Sequence, residues 1–184
     1  MATSRLFVAL LPPPTVSAEL AALAEPLAGV RWVPAEDSHL TLRFIGDAPE
    51  ERREAFGAAL ERVRVEPFIL PAAGLGVFPP RGAAKVLWAG VGRAHPRLFQ
   101  LRKQVDEALL RVDPGLAMPS FHPHFTVGRI GDAHAPKELA AFLERNGGFE
   151  APPFRVDAFH LMTSTPAAGR ASRYEVVRRF PLAP

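Results

Sequence analysis

Apolar residues recur along this chain with two distinct periods, and the periods divide it into elements. Seven short, mostly apolar stretches carry strand signals: 5–11 (RLFVALL), 39–45 (HLTLRFI), 68–78 (FILPAAGLGVF), 85–91 (KVLWAGV), 124–130 (HFTVGRI), 154–164 (FRVDAFHLMTS) and 173–180 (RYEVVRRF). Four stretches, 15–28, 49–63, 95–112 and 135–146, carry the helical period instead. Pro49 and Pro136 stand where a first helical turn tolerates proline. Pro- and Gly-containing loops at 78–85, 113–123 and 165–172 separate the elements, and none is long or polar enough for a disordered linker.

The pattern is doubled. HLTLRFIGDAPEERREAF in the first half matches HFTVGRIGDAHAPKELAAF in the second, and the leading histidines lie 124 − 39 = 85 residues apart. In each copy a strand carrying histidine and threonine runs directly into a helix, so a repeated βα unit is the simplest account. The expected fold class is therefore α+β. Residues 1–184 are read as one bilobal domain of two pseudo-symmetric lobes, each with an antiparallel sheet and helices, and a cleft between the sheets.

Length and composition permit this. At 184 residues, with 48% hydrophobic and 22% charged side chains, the chain can bury a substantial core. The absence of cysteine excludes a disulfide framework and a thiolate metal site. The apolar run Leu6–Leu11 is too short for a membrane span or a signal segment, so a cytoplasmic location and no membrane partner are expected. A net charge of +3 suits an anionic ligand without requiring one.

Strand alternation places His39 and Thr41 on one face, with Leu40, Leu42 and Phe44 on the other. It likewise sets His124 and Thr126 against Phe125 and Val127. If the two polar fronts meet across a pseudo-twofold axis, one cleft holds two imidazoles and two hydroxyls. Imidazoles titrate near ~6.5, so such a pair can split into an acid and a base, while the hydroxyls hold phosphoryl oxygens. Each histidine by itself reads more readily as structural; the matched context favours chemistry. His122 with His124 could begin a metal pair, but Pro123 disturbs the strand and no carboxylate or thiol lies beside them. His95, His134 and His160 are read as surface or structural. Trp32, Phe78 and Trp88 could stack on a base, though apolar packing is the simpler role for each.

These two motifs, together with RLFVALLPP (5–13), VRWVPAEDSHLTLRFIGD (30–47), GVFPPRGAAKVLWAGV (76–91), HPHFTVGRI (122–130) and RYEVVRRFPL (173–182), resemble the two-histidine phosphoesterase superfamily. Within it they resemble the bacterial and archaeal RNA 2′,3′-cyclic phosphodiesterases, long called 2′-5′ RNA ligases. The resemblance spans nearly the whole chain and implies a bilobal α+β fold. It also implies metal-independent opening of 2′,3′-cyclic phosphates to 2′-phosphomonoesters, with weak reverse ligation. By the same resemblance His39 is the proton donor, His124 the base, and Thr41 and Thr126 bind the cyclic phosphate. Arg129 helps to hold the phosphate, although strict alternation would turn it to the far face, and Gly128 departs from the larger residue expected there. No cofactor is implied, the partners are RNA ends or small cyclic nucleotides, and a monomer is expected. Two alternatives stay open: a nucleotide-binding module of the same fold without turnover, and a metal-dependent hydrolase using His39, His122 and His124.

Overall fold

Leu6, Val8 and Leu10 are buried on one face of the first strand, and Phe7 and Ala9 on the other, so this strand is covered on both sides. The computed structural model describes residues 5–167 and 170–184. In chain order the elements are β1 (Arg5–Leu10), α1 (Pro14–Ala21), β2 (Val30–Trp32), β3 (Leu40–Asp47), α2 (Glu50–Leu60), β4 (Phe68–Ala73), β5 (Leu75–Phe78), β6 (Val86–Ala89), α3 (Pro96–Val112), β7 (Phe125–Ile130), α4 (Pro136–Arg145), β8 (Glu150–Val156), β9 (Ala158–Ala167) and β10 (Arg170–Pro181). A short 3₁₀ turn, Ala35–Asp37, leads into β3.

The α+β expectation holds, and the strands pair antiparallel. One sheet runs β10-β9-β1-β3-β7-β6-β5 with β2 alongside β7, and a smaller one joins β4 to β8. The halves of the large sheet meet where β3 pairs with β7 at Leu40↔Phe125. The main core lies on one side of that sheet. Leu98, Leu101, Val105 and Leu109 recur every three or four residues along α3, and they join Phe56 and Leu60 of α2 in burying Leu40, Leu42, Phe125 and Val127. The opposite face carries the histidines.

Several boundaries differ from the sequence expectation. The stretch 68–78 is two strands because the chain turns at Gly74, whose φ of +77° suits glycine. The stretch 154–164 is also two strands, broken at Asp157. The first helix stops at Ala21 rather than residue 28, before Pro26, which disfavours helix at the residue preceding it. Strand β2 was not expected, being only three residues long. Of the loop expected at 165–172, residues 168 and 169 lie outside those described, and strand continues to 167 and from 170.

The strict alternation expected of the two histidine strands fails at one matched point. Opposite β1, the pairs Ala9↔Thr41 and Val8↔Arg43 leave Leu42 as an extra residue. Opposite β6, the pairs Trp88↔Thr126 and Leu87↔Gly128 leave Val127 as an extra residue. Both bulges fall three residues after the histidine. Each re-phases its strand, so Arg43 and Gly128 join the buried side and the residues after them turn to the histidine face. Phe44 is therefore not on the apolar back: it is 69% exposed and packs beside Phe7 at 6.0 Å between ring centroids. Arg129 turns to the cleft for the same reason.

Leu40 is fully buried at the junction of the halves. Leu40→Ala should therefore cost about 2–5 kcal/mol, read as a lowered midpoint in chemical denaturation. A change below about 1 kcal/mol would mean the junction collapses around the cavity.

Candidate active site

The pair Leu40↔Phe125 fixes what stands across the cleft floor. In an antiparallel pair the residue before one partner faces the residue after the other. His39 thus lies beside Thr126, and His124 beside Thr41. A cavity of about 310 Å³ opens at the first of these pairs, lined by His39, Thr126, Arg129, Arg31, Asp37 and Tyr174 among others. Thr41 stands beyond it, at the His124 end.

Each imidazole is held the same way. His39 Nδ1 lies 2.7 Å from the Asp37 carbonyl oxygen, and His124 Nδ1 lies 2.6 Å from that of His122. A carbonyl only accepts, so in both rings Nδ1 carries the proton and donates. Nε2 is left for the cleft, as a lone pair in the neutral ring or an N–H in the charged one. Each ring is also flanked by two aromatics. His39 sits 5.2 Å from Phe7 and 4.8 Å from Tyr174, and His124 sits 5.0 Å from Phe78 and 6.5 Å from Trp88, all between centroids.

These walls remove water and lower the pKa of both histidines from the usual value. For His39 burial is the main cause, opposed by the Asp37 carbonyl, with the charges of Arg129 and His124 adding to the lowering. For His124 burial again leads, opposed by the His122 carbonyl, with His122 and Arg129 adding. Arg129 acts on both rings and so stands near both. Its ladder partner on β2 is Arg31, and both line the cavity, giving it two guanidinium groups suited to an anion.

The other singled-out residues lie as follows. Trp32 donates its indole N–H to the Glu25 carbonyl at 2.9 Å and its ring packs on Phe142, and the residue also lines the cavity beside His39. Trp88 lies over Gly76, where any Cβ would overlap its ring, and with Phe78 it backs His124. His95 accepts from the Arg97 backbone N–H at the start of α3. His134 is 3.0 Å from the Gly131 carbonyl in a loop. His160 is half-buried on β9 opposite Ala9, its pKa lowered chiefly by burial. Among the described residues no group of three His, Cys, Asp or Glu stands close enough to hold a metal ion. Sequence reasoning missed Arg31, Tyr174 and Phe7. Only Phe7 was within its reach, by alternation along β1.

The model of the LigT like Phosphoesterase family matches residues 10–88 and again 91–171, one histidine motif in each match. The chain belongs to this family. An RNA 2′,3′-cyclic phosphodiesterase of Aeropyrum pernix is 34% identical over 73% of this chain and 77% of its own. One of Thermus thermophilus is 34% identical over 97% of this chain and 90% of its own. Among solved structures, LigT of E. coli complexed with 3′-AMP superposes with a TM-score of 0.76 at 27% identity, covering 99% of both chains. TT0787 of Thermus thermophilus superposes at 0.80, also at 27% identity and covering 97% of both. The two-lobed fold is thus common to this chain and its LigT-like relatives.

Burial and Arg129 both disfavour the imidazolium, so in the ligand-free protein His39 and His124 should each titrate below ~6.5. Arg129→Met removes one lowering cause from both and should raise both values, followed by NMR of the imidazole carbons. A shift in only one histidine would show that Arg129 addresses a single ring.

Proposed function

We propose that the protein opens 2′,3′-cyclic phosphates at RNA ends, as the names of its curated relatives describe for those proteins. The observation that carries the reading is the pseudo-symmetric pair of imidazoles, each with Nδ1 committed to a carbonyl and Nε2 left for the cleft. Displacement at phosphorus needs a base at the entering oxygen and an acid at the leaving one, on opposite sides of the phosphorus. Two histidines related by a twofold axis through the phosphate supply that disposition. His124 Nε2 takes a proton from water as its oxygen bonds to phosphorus. The P–O3′ bond breaks, and His39 Nε2–H protonates the departing ribose oxygen, leaving a 2′-phosphomonoester. Thr41 and Thr126 donate to non-bridging oxygens, whose charge grows in the transition state, and Arg129 with Arg31 offsets that charge. Ring strain and these groups make the step tractable without a metal. E. coli LigT has been solved in complexes with 3′-AMP, ATP, NADP+ and phosphate, and the nucleotides among these ligands are in keeping with a nucleoside in the cavity beside His39.

The deciding experiment incubates the protein with a short RNA ending in a 2′,3′-cyclic phosphate in the presence of EDTA, and identifies the product. A 2′-phosphomonoester is expected. Loss of activity to the chelator would overturn the metal-independent mechanism, and binding without turnover would favour the nucleotide-binding module. His39→Ala and His124→Ala should each lower kcat roughly 10²–10⁴-fold, and the double variant should be little worse because the pair acts as a unit. A single variant keeping a third of the wild-type rate would remove the assignment. Thr41→Val and Thr126→Val delete one donor each while keeping the branched shape. They should lower kcat on the order of 10–10²-fold with a smaller change in KM; unchanged kcat in both would mean the threonines serve packing alone.

A further inference from the structure

The halves part company at one matched position. Gly128 follows the bulge of β7, and 128 − 85 gives its counterpart after the bulge of β3, Arg43. In the same way Trp32 of β2 corresponds to Ala117. Glycine lets β2 lie directly on β7: Trp32 is the ladder partner of Gly128, and the Val33 N–H donates to the Val127 carbonyl at 2.9 Å. A Cβ at 128 would approach Val30 Cγ1 to 3.0 Å. In the other half no strand forms at 115–118, and the Arg43 side chain bridges to that segment instead. Arg43 is 1% exposed, donates through Nη2 to the Ala117 carbonyl, and brings Nη1 to 3.6 Å from Met118 Sδ.

The bridge is braced. Asp106 on α3 places Oδ1 3.2 Å from Arg43 Nη1 and accepts from Arg102 Nε through Oδ2 at 2.6 Å. Arg102 donates to the carbonyl of the bulged Leu42 at 2.5 Å and lies 4.9 Å over the Phe121 ring. The segment from Ala117 to Phe121 is thus tied to the β3 bulge, and the next residue, His122, supplies the carbonyl that holds His124 Nδ1. The carbonyl holding His39 Nδ1 comes from Asp37, four residues beyond Val33, which follows β2 and is tied to the β7 bulge. Each imidazole is therefore oriented by a loop anchored on the other half's bulge, by backbone in one case and by a guanidinium in the other.

We propose that Arg43 is a positioning residue for His124: through the 117–122 loop it fixes the tautomer and direction of the ring that acts as base. The role in turnover rests on the phosphodiesterase reading above, whereas the tautomer itself does not. The cluster holds two guanidinium groups and one carboxylate, so Arg43→Met leaves a matched pair, Arg102 with Asp106, and strands no charge.

The test is nitrogen NMR of the imidazoles in wild type, Arg43→Met, Arg43→Lys and Phe121→Ala, beside steady-state kinetics. In wild type both neutral histidines should be Nδ1–H tautomers. In Arg43→Met, His124 should become a mixture of tautomers while His39 stays Nδ1–H, and kcat should fall about tenfold with KM within about twofold. Arg43→Lys should recover part of the loss. Phe121→Ala, which leaves every charge in place, should move His124 in the same direction and covers the case of a poorly folded Arg43→Met. An unchanged His124 tautomer in both Arg43→Met and Phe121→Ala would overturn the proposal, and so would equal changes in both histidines, which mean general loosening. A wild type inactive on cyclic phosphates that still shows the Arg43-dependent tautomer would overturn the functional reading and leave the positioning role standing.

Discussion

Leu40 and Phe125 are the point at which the two halves of the large sheet join, and both are fully buried. Antiparallel pairing there dictates that whatever precedes Leu40 stands beside whatever follows Phe125. The cleft chemistry descends from this constraint. It needs no dedicated scaffold, because each histidine immediately precedes a strand whose apolar residues are already committed to the core. The core thereby fixes the cleft: neither histidine can be displaced along its strand without pulling Leu40, Leu42, Phe125 or Val127 out of contact with α2 and α3.

What could be read in the sequence was whatever repeats within a few residues. The doubled motif, the facing of His39 with Thr41 and of His124 with Thr126, and the helices after each strand all follow from period and spacing. Alternation failed at Leu42 and Val127, because a bulge is a property of two strands and neither strand announces it alone. That failure misplaced Phe44 and left Arg129 aimed away from the site it lines. Arg31 and Tyr174 were invisible for a different reason. Arg31 sits on a strand of three residues, too short to show a period, and Tyr174 reaches His39 from the far end of the chain by way of β10 and β9.

Gly128 illustrates how a departure from pattern becomes informative once its partner is known. As a residue in a strand it looks like a weakness. Set against Trp32 and Val30 it is a clearance, and set against Arg43 it marks where the repeat diverged into two ways of holding a loop. The apolar core tolerates the second way because the guanidinium is not alone. Asp106 faces it, and Arg102 completes a cluster whose members also satisfy the Leu42 and Ala117 carbonyls. A buried cation without those partners would cost more than the packing it replaces.

Divergence of this kind is needed by the chemistry. Two histidines in identical surroundings have identical affinities for a proton, and a symmetric site gives neither ring a reason to be the acid. Here the surroundings differ. His39 is packed between Phe7 and Tyr174 and opens on the cavity with Arg129 and Thr126, whereas His124 rests on Phe78 beside His122. Both rings are biased toward neutrality in the empty cleft by burial and by the charge of Arg129. A phosphate entering between them favours the imidazolium form of the ring it approaches more closely. On the mechanism proposed above, the anion therefore charges the acid as it binds, and the opposite ring, held by its carbonyl in the Nδ1–H form, keeps the lone pair that a base requires.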